Sequence, residues 1–398
     1  MAHATTAIKN PGKLQGAGGL STLFLVLTVI GIAAFAGGLM TDKTRAWASF
    51  VQNHFYFMSL AIGGLFFAAI QWLTGAMWSA PVRRISESFT AYLPIAAITF
   101  IILYFGLHEV YIWTHADHVK GDIVLEHKAA YLNIPFFMIR NLVALAIWIF
   151  FAKKLVGNSI AQDASGDYSL TLKNRGMTPV FLILFAITFT MHAFDVLMSL
   201  DPHWFSTMFG VYCFAGMFYS ILALTAIIAV LLRRNGMLVG IVTDDHLHDL
   251  GKFMFAFTVF YAYIAFSQFM LIWYANLPEE TSYFMHRMTG SWMPVSIFLL
   301  VGKFMIPFFF LLPRESKRSE KMLLGVGTFM LIANWIDMLW IVQPEFFHEG
   351  PKFGWIELGV PMAFLGLFGF VVVRFLSNNT VVAIGDPRLA ESVHHHHQ

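Results

Sequence analysis

The sequence has little charge and almost no cysteine. Only 12% of its 398 residues are charged, 58% are hydrophobic, and the mean hydropathy is +0.67. Soluble domains carry about 25% charged residues, so this balance indicates an all-α polytopic membrane protein. The single cysteine, Cys213, excludes a disulfide framework, an iron–sulfur cluster held by this chain alone and c-type haem attachment. Any redox centre must therefore be organic or lie in a partner, and no residue set predicts a metal site.

The sequence also lacks the motifs of common soluble enzymes. It contains no Walker A, G-x-G-x-x-G or G-x-S-x-G pattern. A net charge of +2 gives no basis for nucleic-acid binding. No short apolar region with a cleavage site precedes the first long apolar stretch, so we expect that stretch to be retained as a span.

Long apolar segments are abundant. A membrane-spanning helix needs about 20 mostly apolar residues. The segments that meet this need are 20–40, 48–78, 89–113, 131–152, 178–200, 207–232, 251–275, 291–312, 321–342 and 356–376. We therefore predict ten transmembrane helices in a single membrane domain, residues 20–376.

Lysine and arginine predict the orientation. They concentrate in the connectors on the side of both termini, which places the N-terminal segment 1–19 and the C-terminal tail 377–398 in the cytoplasm. The connectors on the other side collect acids, histidines and aromatic residues, as in "IWTHADHVKGDIVLEH" and "VQPEFFHEG". This composition suits docking of an external partner, so we expect the outer face to be the working face.

Two pairs of segments indicate an internal repeat. "HAFDVLMSLDP" in the fifth span aligns with "NWIDMLWIVQP" in the ninth, so that His192 falls on Asn334 and Asp195 on Asp337. "FGLHEVYIW" in the third span aligns with "AFSQFMLIW" in the seventh. Both offsets are four helices, which predicts two related four-helix bundles, 48–200 (spans 2–5) and 207–342 (spans 6–9), with two peripheral helices. Chance similarity between apolar helices is the alternative.

Few polar residues lie within the predicted spans. An isolated charge in the bilayer centre costs from ~3 to more than 10 kcal/mol, so such groups face the bundle interior and pair, or become neutral. On the predicted topology all but Lys303 lie in the outer half of the membrane. The candidate quinone-contact or proton-pathway residues are His108, Glu109, Arg140, His192, Asp195, Gln268, Lys303, Asn334 and Asp337.

Roles for these residues stay open at the level of sequence. His192 and Asp195, three residues apart on one helical face, could accept protons from a quinol, or could hold helices together by hydrogen bonds. Arg140 cannot deprotonate and needs a carboxylate or carbonyl partner. Lys303 fits a structural pair or an inner proton route.

His108 and Glu109 lie near water, so surface solvation explains them as well as a proton exit does. Haem ligation by His108 and His192 is a further alternative, because two transmembrane histidines are the minimum for a bis-histidine site. The sequence assigns no catalytic residue.

Three segments carry a resemblance to a known family. "SLDPHWFSTMFGVYCFAG", "HKAAYLNIPFFMIRN" and "FSQFMLIWYANLPEET" resemble the NrfD/PsrC-like membrane subunits of Alternative Complex III, a bacterial quinol:electron-acceptor oxidoreductase. The resemblance covers residues 22–376. Of the two such subunits in that complex, the compact length and "WYANLPEET" are closer to ActF than to the larger ActC.

The resemblance implies a subunit of a respiratory quinol:cytochrome c oxidoreductase complex in the bacterial inner membrane, which is not catalytic alone. It implies menaquinol as the electron donor and no covalently bound cofactor in this chain. The implied partners are a second NrfD-like subunit, an iron–sulfur subunit, multihaem cytochrome c subunits that carry haem c, and a terminal oxidase. Two alternatives remain from the residues: a secondary transporter, since parallel repeats with buried ionisable groups also fit that class, and a purely structural membrane anchor.

Overall fold

A computed structural model describes residues 10–394, and the described chain is helical with no strand beyond a single bridge between Lys13 and Thr380. The outermost residues of both predicted cytoplasmic segments, 1–9 and 395–398, lie outside this range. Within it, ten helices are long and apolar enough to cross a membrane. We name them α1 (Gly18–Thr41), α2 (Lys43–Thr74), α3 (Ala80–Val110), α4 (Ile134–Ser165), α5 (Tyr168–Leu200), α6 (Phe209–Arg234), α7 (Asp244–Ala275), α8 (Gly290–Leu311), α9 (Glu320–Glu345) and α10 (Trp355–Asn378).

All ten predicted spans correspond to a helix, and the largest difference in bounds is at α4 and α5. The side chain of Asn133 caps α4 by accepting from the Phe136 amide at 3.0 Å, and Gly166 ends it with φ of 63°. Asp167 then caps α5 in the same way. The predicted span 131–152 stopped where lysines begin, but the helix continues as a polar extension beyond the apolar segment, because capping rather than hydropathy sets its end.

The helices form two closed rings, as the repeat predicts. In the first bundle α2 contacts α3, α3 contacts α4, α4 contacts α5, and α5 contacts α2. In the second bundle α6, α7, α8 and α9 contact one another in the same cyclic order. The bundles meet through α2 and α5 on one side and α6 and α9 on the other. The predicted fold, two four-helix bundles with two peripheral helices, is confirmed.

The peripheral helices α1 and α10 pack on each other and against α2. Their contact depends on glycine, since a Cβ at Gly31 would lie 2.0 Å from the Ala363 amide nitrogen and one at Gly366 would lie 2.4 Å from the Thr28 hydroxyl. Close backbone approach through small residues is a common mode of packing between membrane helices.

The connectors at the outer end, opposite the two termini, carry short helices that the sequence did not predict. The longest of them, Pro278–Met288, buries Arg287. Its guanidinium donates to the Trp340 and Ile341 carbonyls and pairs with Glu345 at 2.6 Å. This helix is therefore fixed to the end of α9.

Candidate functional site

The first buried ionic site lies between α4 and α5. Asp195 has no exposed surface and accepts a bidentate pair of hydrogen bonds from Arg140, at 2.9 Å from Nη2 and 3.1 Å from Nε. Asn141 donates a third at 2.9 Å. The Arg140 guanidinium also donates to the Tyr131 carbonyl and stacks on the Tyr131 ring, with its central carbon 3.7 Å from the ring centroid. The carboxylate and the guanidinium are thus held in one geometry.

His192, which lies three residues before Asp195 in α5, does not join this site. The imidazole is buried among Phe55, Phe100 and Trp148, with ring centroids 5.5 to 6.0 Å away. Neither ring nitrogen has a hydrogen-bond partner among residues 10–394. The packing of the helices turns Asp195 toward α4, where the arginine lies, and His192 toward the aromatic interior.

A second buried histidine, His54, lies beside His192 and was not among the candidates from the sequence. The His54 ring in α2 lies 6.1 Å from that of His192, and its Nδ1 is 2.8 Å from the Thr99 hydroxyl. His108 is not near: it is exposed and follows Phe100, which contacts His192, by eight residues, or about 12 Å along a helix. The alternative of haem ligation by His108 and His192 is therefore wrong.

The second buried ionic site lies between α6, α7, α8 and α9. The Lys303 ammonium is 2.6 Å from Asp337 Oδ2 and 2.6 Å from Asn334 Oδ1. The other oxygen of Asp337 accepts from the Tyr212 hydroxyl at 2.5 Å and from Tyr261 at 3.3 Å. The Lys303 and Asp337 side chains have no exposed surface. Lys303, which the sequence placed apart from the other candidates, thus belongs with Asp337 and Asn334.

A break in regular α-helix positions Lys303. The segment Leu299–Met305 is π-helical and is followed by Pro307, which has no amide hydrogen to offer the Lys303 carbonyl four residues earlier. The Tyr219 hydroxyl donates to that carbonyl at 3.1 Å instead. Single π-helical turns recur at functional sites because they redirect a side chain. Here the turn directs the ammonium into the bundle.

A lateral cavity adjoins the second site. It has a volume of about 480 Å³ and lies between α6, α7, α8 and the helix Pro278–Met288. Its wall is almost wholly apolar, and its mouth is formed by exposed side chains such as Phe266 and Leu300 on the membrane-facing surface. The side chains that bring polar groups to it include Tyr212, Tyr261, Gln268 and Ser296. Gln268, a sequence candidate, is thus a wall residue of this cavity.

The two tyrosines connect the cavity to the carboxylate. Tyr212 and Tyr261 both line the cavity and both donate to Asp337, and their hydroxyl oxygens are 2.9 Å apart. The Tyr261 ring also lies against the Lys303 ammonium, 3.5 Å from its centroid. The two tyrosines therefore lie between the cavity and the ionic site of Asp337 and Lys303.

The remaining candidates, His108 and Glu109, are exposed at the outer end of α3. They line an open cavity of about 390 Å³ together with His115, Asp201 and Glu345. They lie in the last turn of α3, which ends at Val110. Nearby, the side-chain hydrogen bond from His203 lowers the pKa of Asp122. Burial raises the pKa of Tyr283, whose ring stacks on Trp204 at 3.8 Å between centroids.

The two ionic sites occupy equivalent places in the two bundles. Asp195 and Asp337 lie on the last helix of their bundles, and Arg140 and Lys303 lie on the helix before it. Neither Tyr212 nor Tyr261 was singled out from the sequence, since tyrosine in an apolar helix is usually a packing residue. A polar group in the same bundle as a buried acid is the one signal that could have identified them.

Comparison with known proteins gives no identification. The chain matches no protein-family model and no curated protein. Among residues 10–394, no group of three or more histidine, cysteine or acidic side chains is placed to hold a metal ion.

Proposed function

We propose that this protein is an integral membrane subunit of a respiratory quinol:electron-acceptor oxidoreductase, and that its second bundle contacts quinol and receives its protons. The observation that carries the proposal is the lateral cavity whose two tyrosines hydrogen-bond a buried carboxylate. The resemblance to the membrane subunits of Alternative Complex III, ActF in particular, names the complex. Its iron–sulfur and multihaem cytochrome c subunits would be the partners.

The cavity suits an amphipathic aromatic ring. Small-molecule sites usually measure about 300–1,000 Å³ and combine an apolar wall with a few placed polar groups. A quinol presents an apolar ring and chain with a hydroxyl at each end. In this cavity its ring would pack on Phe269 and Phe284, and its chain would leave through the membrane-facing mouth. A quinol hydroxyl would then meet Tyr212 or Tyr261.

The chemistry requires a base for each proton. A quinol that gives two electrons to an iron–sulfur or haem centre of a partner subunit must also release two protons, and becomes the quinone. The protons leave one at a time: Tyr261 or Tyr212 can accept each from the substrate while passing its own to Asp337, so that no charge is left on the tyrosine. Asp337 must release the first proton to solvent before it takes the second. Lys303, 2.6 Å from Asp337, provides the counter-charge for this buried carboxylate.

The experiment compares Asp337→Asn with a matched surface change. In the assembled complex, we expect Asp337→Asn to slow menaquinol oxidation by about 100-fold, the usual size of a general-base effect. Glu315→Gln, at an exposed position in a connector at the opposite end of the molecule, should leave the rate unchanged. Ala265→Phe, which fills the cavity wall, should raise KM more than it lowers kcat.

The two variants together distinguish a subunit that binds quinol from one that only anchors its partners in the membrane. Normal rates and normal KM in both Asp337→Asn and Ala265→Phe would refute the proposal and leave the chain as a membrane anchor for its partners. A slow rate in Asp337→Asn with unchanged KM in Ala265→Phe would retain proton transfer and exclude quinol from this cavity.

A further inference from the structure

A third cavity lies at the end of the molecule opposite the outer connectors, where the chain termini are found. It has a volume of about 240 Å³ and is enclosed by the end of α2, the start of α3, the start of α5 and the C-terminal tail. We propose that it binds the headgroup of an anionic phospholipid. This inference is independent of the proposed quinol chemistry in the second bundle.

Three arginines from three parts of the chain line this cavity, and two of them lack a counter-charge. Arg83 is satisfied, since it forms ion pairs with Glu87 at 3.3 Å and with Asp386. Arg175 and Arg388 have no carboxylate within 4.0 Å among residues 10–394.

The two unpaired guanidinium groups converge on one point. A Cβ atom at Gly75 would lie 3.5 Å from Nη2 of Arg175 and 3.7 Å from Nη2 of Arg388. These nitrogens are thus no more than 7.2 Å apart. Like charges this close repel unless an anion bridges them, and a phosphate oxygen between them would accept a charge-assisted hydrogen bond from each.

The acids that line the cavity do not cancel this charge. Asp386 is engaged by Arg83 and accepts from the Arg388 backbone amide at 2.8 Å. Glu391 is exposed and forms no ion pair within the described residues. Three arginines and two acids therefore leave an excess of positive charge around the cavity.

The surroundings favour a lipid over free phosphate. From the cavity, α5 presents a stripe of exposed side chains to the membrane: Tyr168, Leu172, Val180, Ile183 and Ile187. An acyl chain can lie along this stripe while its phosphate occupies the cavity. Lysine and arginine predict that this end is cytoplasmic, and basic pockets between helices on that side bind anionic headgroups.

Gly75 supplies the space for the headgroup and a way to test it. Its φ of 61° lies in the left-handed region, which asparagine and aspartate also tolerate. A carboxylate placed here by Gly75→Asp would reach both guanidinium groups and replace the phosphate. The neutral, similarly sized Gly75→Asn would fill the space without supplying the charge.

The experiment measures lipid binding to the purified full chain. Short-chain phosphatidylglycerol is titrated into delipidated protein, and its dissociation constant is read from thermal stabilisation and from mass spectra of the intact protein. We expect Arg175→Gln/Arg388→Gln to weaken binding at least about ten-fold, since about 1.4 kcal/mol corresponds to a factor of ten. Lys153→Gln/Lys173→Gln, with the same charge change at exposed positions outside the cavity, should bind as the native chain does.

The other probes identify the ligand. Gly75→Asp should no longer bind phosphatidylglycerol and should show the thermal stability of the lipid-bound native chain. Phosphatidylcholine and inorganic phosphate should stabilise neither the native chain nor the variants. Equal binding by the two double variants would overturn the proposal, as would stabilisation by inorganic phosphate equal to that by phosphatidylglycerol.

Discussion

The two bundles carry a buried acid at equivalent positions, but the side chains that contact this acid differ. In the first, Asp195 is held by Arg140 and Asn141 with every contact made inside the protein. In the second, Asp337 is held by Lys303 on one side and by two tyrosines on the other, and those tyrosines face a cavity. One repeat therefore ends its polar network within the bundle, and the other extends it to a binding space.

The choice of cation explains the difference. Arginine keeps its proton under all physiological conditions and forms a rigid fork to carboxylate, so Arg140 can hold Asp195 but cannot itself exchange a proton. Lysine is a flexible point charge, and Lys303 lies in the π-helical turn Leu299–Met305. The two bundles thus hold equivalent acids with cations of different chemistry.

The largest expected effect is on the stability of the first site. Arg140→Leu removes two hydrogen bonds to Asp195 and leaves a buried carboxylate without a counter-charge, which costs about 3–5 kcal/mol. Thermal unfolding of the purified chain in detergent measures it. The double change Arg140→Leu/Asp195→Leu, which removes both charges, should recover much of the loss. A stable single variant would show that Asp195 does not need the arginine.

A smaller loss of stability is expected at the second site. Lys303→Met removes the ammonium, but a protonated Asp337 keeps the Tyr212 and Tyr261 hydroxyls as neighbours, so the cost should be about 1–3 kcal/mol. Quinol oxidation by the assembled complex should fall far more than this stability loss explains. Equal destabilisation by Lys303→Met and Arg140→Leu would remove the distinction between the two bundles.

Gly216 gives a more local test of the second site. A Cβ there would lie 2.8 Å from Asn334 Oδ1, so Gly216→Ala should displace the Asn334 side chain, which accepts from Lys303, at a cost of about 1–3 kcal/mol. Gly157→Ala in α4 is the matched control, because no atom lies within 4 Å of the added carbon and alanine favours the helix by about 0.4–1 kcal/mol. Opposite shifts in unfolding temperature are expected. Equal shifts would mean that the Lys303 contacts are not tightly packed.

Sequence patterns predicted the fold well because each span is a long apolar segment that its hydropathy alone identifies. The repeat at Asp195 and Asp337 also predicted which helices form each bundle. The partners of these acids were harder to predict from the sequence, because Arg140 and Lys303 lie far from them along the chain. The direction of each side chain also depends on the rotation of its helix. His192 shows this, since its spacing from Asp195 was right for a shared face, yet the two side chains point to different neighbours.

The residues that were missed share a physical cause. Tyr212, Tyr261 and Arg287 act through contacts between helices, and nothing in the local sequence separates them from packing or connector residues. The π-helical turn likewise required the structure, because Pro307 predicts a disturbed helix but not its direction. The lateral cavity arises from a short helix, Pro278–Met288, that hydropathy alone could not reveal.

The smallest effect on stability is expected at the side-chain pairs that fix the outer connectors to the bundles. In the second bundle Arg287 and Glu345 form a buried pair, whereas in the first His203 and Asp122 form an exposed pair at 2.6 Å. The hydrogen bond from His203 lowers the pKa of Asp122, and the Leu125 and Val124 amides do so further. The stabilisation is therefore present above the ordinary carboxyl pKa and is lost as pH falls through the lowered value.

Asp122→Asn should remove the carboxylate that accepts from His203 and keep a side-chain oxygen to cap the helix Ile123–Lys128. We expect a slight rise in hydrogen exchange of that helix at neutral pH, which disappears on acidification and at 1 M salt, where the charges are screened within about 3 Å. Glu345→Gln should increase exchange in Pro278–Met288 by more, and with little dependence on salt, because its partner Arg287 is buried. Equal salt dependence of the two variants would mean that burial does not distinguish the two attachments, and the contrast between the bundles would then be confined to their ionic sites.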